Sequence, residues 1–233
     1  RYLATEGFLP GYNFPRLPLY AFIPGEGNSG AFLQRARFLA ISEFGPRSLI
    51  YHEGRAYRVM KAKLPPEARS SDGSELATKD LFICSNCGAC HEAEIERCHA
   101  CNTPMAGQIP VQRTLRIDNV EAAPAERITA NDEERVRQGF DIQTVFSWPV
   151  RDGRIHTTEA EFSCDTKPIF SLQYANSAEI SRLNKGLKRR REKTVFGFNI
   201  DPRSGYWAKA EDEESGVDVP PDVILPVRIV PIV

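Results

Sequence analysis

Between Cys84 and Cys101 the chain reads C-S-N-C-G-A-C-H, then six residues, then C-H-A-C, and no other stretch restricts the fold as strongly. Two C-x-x-C pairs, Cys84/Cys87 and Cys98/Cys101, stand ten residues apart. At that spacing each pair can fold as a tight knuckle that offers two thiolates to one tetrahedral ion, and zinc meets that demand best. Gly88 follows the first knuckle, where the backbone must turn sharply so that amide N–H groups point at the sulfurs; glycine tolerates the turn. Asn102 holds the matching place in the second knuckle, and asparagine is the next most tolerant residue of left-handed backbone.

Six cysteines is an even number, so a disulfide cluster is the competing reading. Disulfide scaffolds belong to small secreted chains, whereas this one has 233 residues, no apolar leader and a lone distant Cys164. Zinc bound by Cys84, Cys87, Cys98 and Cys101 in a structural role is therefore the expectation. A catalytic ion would need an open position, a water and a general base. Cys90 and His91 lie close enough in sequence for either to replace a knuckle cysteine.

Composition narrows the partners. Thirty Lys and Arg nearly balance thirty-one Asp and Glu, so attraction to nucleic acid would have to come from local patches. With 41% hydrophobic residues the chain can bury one good core or two small ones, and no run of eighteen apolar residues supplies a membrane span. Metal-ready thiols point to the reducing cytoplasm. The chain starts at Arg1 and stops at Val233 within an apolar run, which reads as a segment of a larger protein.

Residues 1–24 carry four prolines and many aromatics, which forbids a long helix and leaves Leu17 to Ile23 as the first strand. Gly25, Gly27 and Gly30 spell G-x-G-x-x-G. A dinucleotide site needs that motif between a strand and a helix, but Pro24 interrupts and residues 35–41 lack a helical period, so a loop between strands is expected. From Phe38 onward the chain reads as β, with a hairpin in which Leu49–Tyr51 and Tyr57–Met60 flank Glu53 and Gly54. Residues 64–79 form a polar linker. Past the knuckles, residues 111–120 read as one strand with Val111, Arg113, Leu115 and Ile117 on one face.

Ala130 to Gly139 reads as a short helix capped by Asn131 or Asp132, its Glu133 and Glu134 serving helix-end electrostatics and not magnesium. Residues 140–150 and 154–162 form a second hairpin across Asp152-Gly153, residues 169–174 a strand, and residues 195–200 and 206–209 a third hairpin. In Asn176 to Lys193 the helical spacing of Ile180, Leu183 and Leu187 predicts a core-facing helix with a basic outer face and a basic loop beyond Gly186. Its cations, Arg182, Lys185, Lys188, Arg189, Arg190 and Arg191, are the candidate nucleic-acid contacts. Tyr206 and Trp207 nearby could stack on bases, although two aromatics in a hairpin more often belong to a core. An enzymatic role is the weakest reading: Ser163-Cys164-Asp165 is a strand-end cluster, and the histidines His52, His91, His99 and His156 group only at the knuckles.

Several stretches together resemble the region after the motor domains of large DEAD/DEAH-type superfamily 2 helicases. They are G-F-L-P-G-Y-N-F-P-R, A-I-S-E-F-G-P-R-S-L-I-Y-H-E-G, the knuckles, R-I-T-A-N-D-E-E-R-V-R-Q-G-F, I-S-R-L-N-K-G-L-K-R-R-R and V-R-I-V-P. The resemblance is strongest to the helicase subunit of DISARM phage-defence systems, and a related cysteine-rich region occurs in bacterial DNA-repair helicases. It implies a zinc module in an ATP-driven DNA translocase that works with motor domains and other defence subunits. ATP and magnesium would belong to those motor domains, since this sequence has no G-x-x-x-x-G-K-[ST]. The expected fold is α+β and mainly β: antiparallel hairpins, two short helices and a zinc-knuckle submodule projecting on a hairpin. The expected divisions are 1–79, 80–105 and 106–233, with the first and last forming one body.

Overall fold

The computed structural model describes residues 18–25, 29–64, 76–125, 139–152, 154–175, 178–190, 192–208 and 227–233. The strands are β1 Leu19–Pro24, β2 Gly30–Arg35, β3 Leu49–His52, β4 Arg55–Lys63, β5 Lys79–Ile83, β6 Cys90–His91, β7 Val111–Arg116 and β8 Asn119–Pro124. They continue as β9 Phe140–Ser147, β10 Val150–Arg151, β11 Arg154–Ile155, β12 Thr158–Cys164, β13 Lys167–Tyr174, β14 Glu179–Leu187, β15 Phe198–Ile200 and β16 Val227–Ile232. One short helix, α1 Arg37–Glu43, is the only helix among the described residues. The fold is mainly β.

Two sheets make the body. The first runs β2-β1-β8-β4-β3, antiparallel except for the β1/β8 pair. The second runs β6-β5-β7-β16-β14-β9, with β15 paired to β16. The chain leaves the first sheet after β4, builds β5 to β7 in the second, and returns through Ile117 and Asp118 to insert β8 between β1 and β4. Period-2 alternation explains the first sheet: Leu19, Ala21 and Ile23 are buried while Tyr20, Phe22 and Pro24 are half-buried on the other face. Its inner face shares one apolar cluster with Leu115, Phe198, Ile200 and Ile229 of the second sheet and with Ala40 and Phe44 from α1 and its end. Leu81, Ile83, Val111, Val145, Leu183 and Val230 form a second cluster.

Four expectations are corrected. Residues 179–187 are the strand β14, not a helix, pairing with β9 from Glu179↔Ser147 to Leu187↔Phe140. A register shift between Asn184 and Leu187, with Gly186 at φ 123°, inserts one residue, but the three-residue spacing of Ile180 and Leu183 sets them on opposite faces of the strand, Leu183 buried and Ile180 exposed, so it marks no single buried helix side. Conversely, Phe38 to Glu43 is helical and not β. The first turn of α1 has no side-chain cap, but β14 grips the helix: Arg182 donates to the Phe38 carbonyl, and Asn184 Nδ2 donates to the Ile41 carbonyl at 3.1 Å. Residues 111–120 are two strands, parted at Ile117 and Asp118, and within β7 Arg113 takes φ 53° and donates its N–H to Asp80 Oδ1, which throws it off the Val111 face. The expected hairpin pairs only the two-residue strands β10 and β11; β9 instead pairs with β14, and β12 pairs with β13 around Asp165 and Thr166. The helix expected over 130–139 falls, but for Gly139, outside the described residues.

The hairpins at Glu53-Gly54 and at residues 202–205 form as expected, the latter closed by an Ile200↔Trp207 bridge, and the glycine loop joins β1 to β2. No helix among the described residues is long and apolar enough to cross a membrane.

Candidate metal centre

Strand β5 delivers Cys84 directly into the first knuckle, and the two knuckles then repeat one backbone pattern. Gly88 donates to the Cys84 carbonyl at 2.9 Å and Asn102 to the Cys98 carbonyl at 2.8 Å. Cys84 donates to the Ala89 carbonyl at 2.8 Å and Cys98 to the Thr103 carbonyl at 2.9 Å. Gly88 at φ 74° and Asn102 at φ 59° occupy the left-handed region at equivalent places, as the sequence leads one to expect. The sulfurs face one another as a result. Cys84 Sγ lies 3.6 Å from Cys101 Sγ, Cys87 Sγ lies 3.6 Å from Cys98 Sγ, and all four sulfurs fall within 4.8 Å of one another.

Those separations suit a shared ion. Four sulfurs at about 2.3 Å from a tetrahedral zinc are about 3.8 Å apart. A donor set made wholly of thiols also fits zinc by chemistry, and four such ligands would fill a tetrahedral ion. Cys90 stays apart: it packs with the cluster containing Leu81 and Ile83, and burial pushes its thiol up to about 11. His91 meets His99 edge-on with ring centroids 5.3 Å apart, and burial followed by the neighbouring His99 lowers its basicity.

The thiols are not equivalent. Burial raises Cys87 and Cys98 above the usual thiol range. Cys101 is held down at about 5, first by the Thr103 hydroxyl 3.1 Å away, then by the Asn86 side chain and the Thr103 backbone N–H. Asn86 and Thr103 thus act on the centre although cysteine spacing gives no sign of them. Phe146 and Trp148 are the other residues that sequence reading missed. Phe146 donates its N–H to the Gly88 carbonyl at 3.0 Å and bridges Ala89, while Trp148 packs on the cysteine cluster. The first knuckle is therefore stitched to β9 and does not project freely.

The basic segment is divided by its partners. Asp141 on β9 lies 2.9 Å from Arg190 Nη2 and 3.6 Å from Lys185 Nζ, and both cations stand over the Phe196 ring. Arg190 also donates to the Leu187 carbonyl. Arg182 is committed to α1. Lys188 and Arg189 are exposed at the turn after β14, and Arg191 lies outside the described residues. Trp207 is buried in the main core at 4% exposure, whereas Tyr206 is 51% exposed.

No protein-family model, curated protein or solved structure matches this chain.

Proposed function

We propose that this chain is a zinc-binding accessory region of an ATP-dependent DNA helicase or translocase, similar to the post-motor region of superfamily 2 helicases and most of all to the DISARM helicase subunit. On this reading it holds one structural zinc, positions DNA or docks the motor in the bacterial cytoplasm, and serves anti-phage defence or DNA repair. ATP hydrolysis belongs to the motor domains. The observation that carries the reading is the convergence of Cys84, Cys87, Cys98 and Cys101, because a four-thiol module set into a β body is what the resemblance implies.

A second reading is a scaffold that docks a partner subunit without touching DNA. It is favoured by the inward commitments of Arg182, Lys185 and Arg190, which leave Lys188, Arg189 and Lys193 as the exposed described cations of the run. Binding to labelled single-stranded and duplex DNA across a salt series separates the two. The DNA reading expects affinity that falls with salt, and replacing Lys188 and Arg189 together by glutamine is expected to reduce the salt slope by about 1.4 units on single strands. Lys185 and Arg190 are kept, since both hold Asp141. Absence of binding at about 50 mM salt would put the scaffold reading first. Elemental analysis should find one zinc per chain; none in protein purified without chelator would remove the foundation of both.

A further inference from the structure

The solvent face of the first sheet interleaves aromatic rings with cations. On its outward positions one row crosses four strands and ends beyond them: Phe32 on β2 pairs with Phe22 on β1, Phe22 with Glu121 on β8, and Glu121 with Lys61 on β4, while Lys61 bridges Tyr206. At about 4.8 Å per strand the row spans about 19 Å. Phe32 is 62% exposed, and Tyr206 is half-exposed with the Lys61 ammonium 5.6 Å from its ring centre. Phe22 stands 5.2 Å from Phe32, and Lys63 Nζ lies 5.9 Å from its ring centre. Gly30 makes room for that ring, since a Cβ there would come within 2.3 Å of Phe22 Cε2.

Charge on these positions is positive. Lys61 and Lys63 face a single carboxylate, Glu121, which lies 3.6 Å from Lys61 Nζ and 3.2 Å from Lys63 Nζ, while Arg58, on the same face of β4, donates to the Arg47 carbonyl. Rings laid on a rigid sheet with cations between them suit one chain chemistry: unpaired bases that stack and phosphates that neutralise lysine. Duplex DNA hides its base faces and gains nothing from the rings.

We propose that this sheet face, besides the exposed cations after β14, binds single-stranded DNA, with Phe32, Phe22 and Tyr206 as stacking platforms and Lys61 and Lys63 as phosphate contacts. The proposal rests on the DNA-engaging reading and adds its place and strand preference. It stands apart from the metal centre.

The test is fluorescence anisotropy of the whole chain with a labelled oligothymidine and with a duplex of equal length, across a salt series. Phe32→Ala and Tyr206→Ala should each weaken single-strand binding by about fivefold or more while leaving the salt slope unchanged. Lys61→Gln with Lys63→Gln should lower the slope by about 1.4 units. Glu121→Gln should tighten binding, a gain that a merely structural carboxylate would not give. All the altered side chains are at least partly exposed, and unchanged thermal unfolding of Phe32→Ala and Tyr206→Ala serves as the folding control. If the parent chain binds DNA and these variants bind equally well, or if duplex is preferred, the sheet face is not the site although the chain still engages DNA. If the parent binds no DNA, the DNA-engaging reading and the proposal both fall. If Phe32→Ala leaves DNA affinity alone and converts a dimer to a monomer in sedimentation, the face joins two copies of the chain and the proposal is wrong.

Discussion

Metal binding at the four-cysteine centre should be steeply dependent on pH, and the thiols say by how much. An ion takes thiolates, so each ligand still protonated must release its proton on binding. Burial raises Cys87 and Cys98, and both carry protons at pH 7. Cys101, held at about 5 by Thr103 and Asn86, has already ionised there. At least two protons therefore leave per ion at neutral pH. The apparent association constant should rise by at least about a hundredfold for each pH unit, equivalent to at least about 2.7 kcal/mol, and fall equally as pH drops. Competition with a chromophoric chelator between pH 6 and 8 measures the slope, and calorimetry in buffers of different ionisation enthalpy counts the protons. Substitution sharpens the expectation: Cys98→Ser should remove one proton from the count, whereas Cys101→Ser should weaken binding yet leave the count unchanged. Release of fewer than two protons at pH 7, or equal loss of protons from the two variants, would refute the assignment.

Two further predictions concern the fold. Leu183 is fully buried and Ile180 is 47% exposed, so Leu183→Ala should cost about 2–5 kcal/mol while Ile180→Ala stays within about 0.5 kcal/mol; equal costs in urea unfolding would favour a helix over β14. A Cβ at Gly88 meets nothing closer than 3.6 Å, so Gly88→Ala should cost only the left-handed backbone penalty of about 1–2 kcal/mol. At Gly197, φ 86°, a Cβ would sit 2.2 Å from the Ile229 carbonyl oxygen, and Gly197→Ala should cost about 3 kcal/mol or more. Urea midpoints at an unchanged slope would compare the two, and a Gly88 cost as large as that at Gly197 would contradict the open space seen beside Phe146.

The metal centre was legible in the sequence because it is local. Nineteen consecutive residues contain all four thiols and both left-handed turns, and the chemistry of C-x-x-C requires no distant partner to declare itself. Hairpins at Glu53-Gly54 and at residues 202–205 were legible for the same reason, since turn residues act on their own backbone. Sequence therefore determined the elements whose hydrogen bonds close within a few residues. It did not determine α1 and β14, which exchange their expected conformations because Arg182 and Asn184 satisfy helix carbonyls that lie 144 and 143 residues earlier in the chain. Nor did the run of basic residues disclose that Asp141 would hold Lys185 and Arg190, for that depends on the β9/β14 register. The same holds for the aromatic row, whose members come from four strands and a turn between residues 22 and 206 and meet only across the strands. Non-local pairing sets which side chains become neighbours, and a period along one segment cannot contain that information.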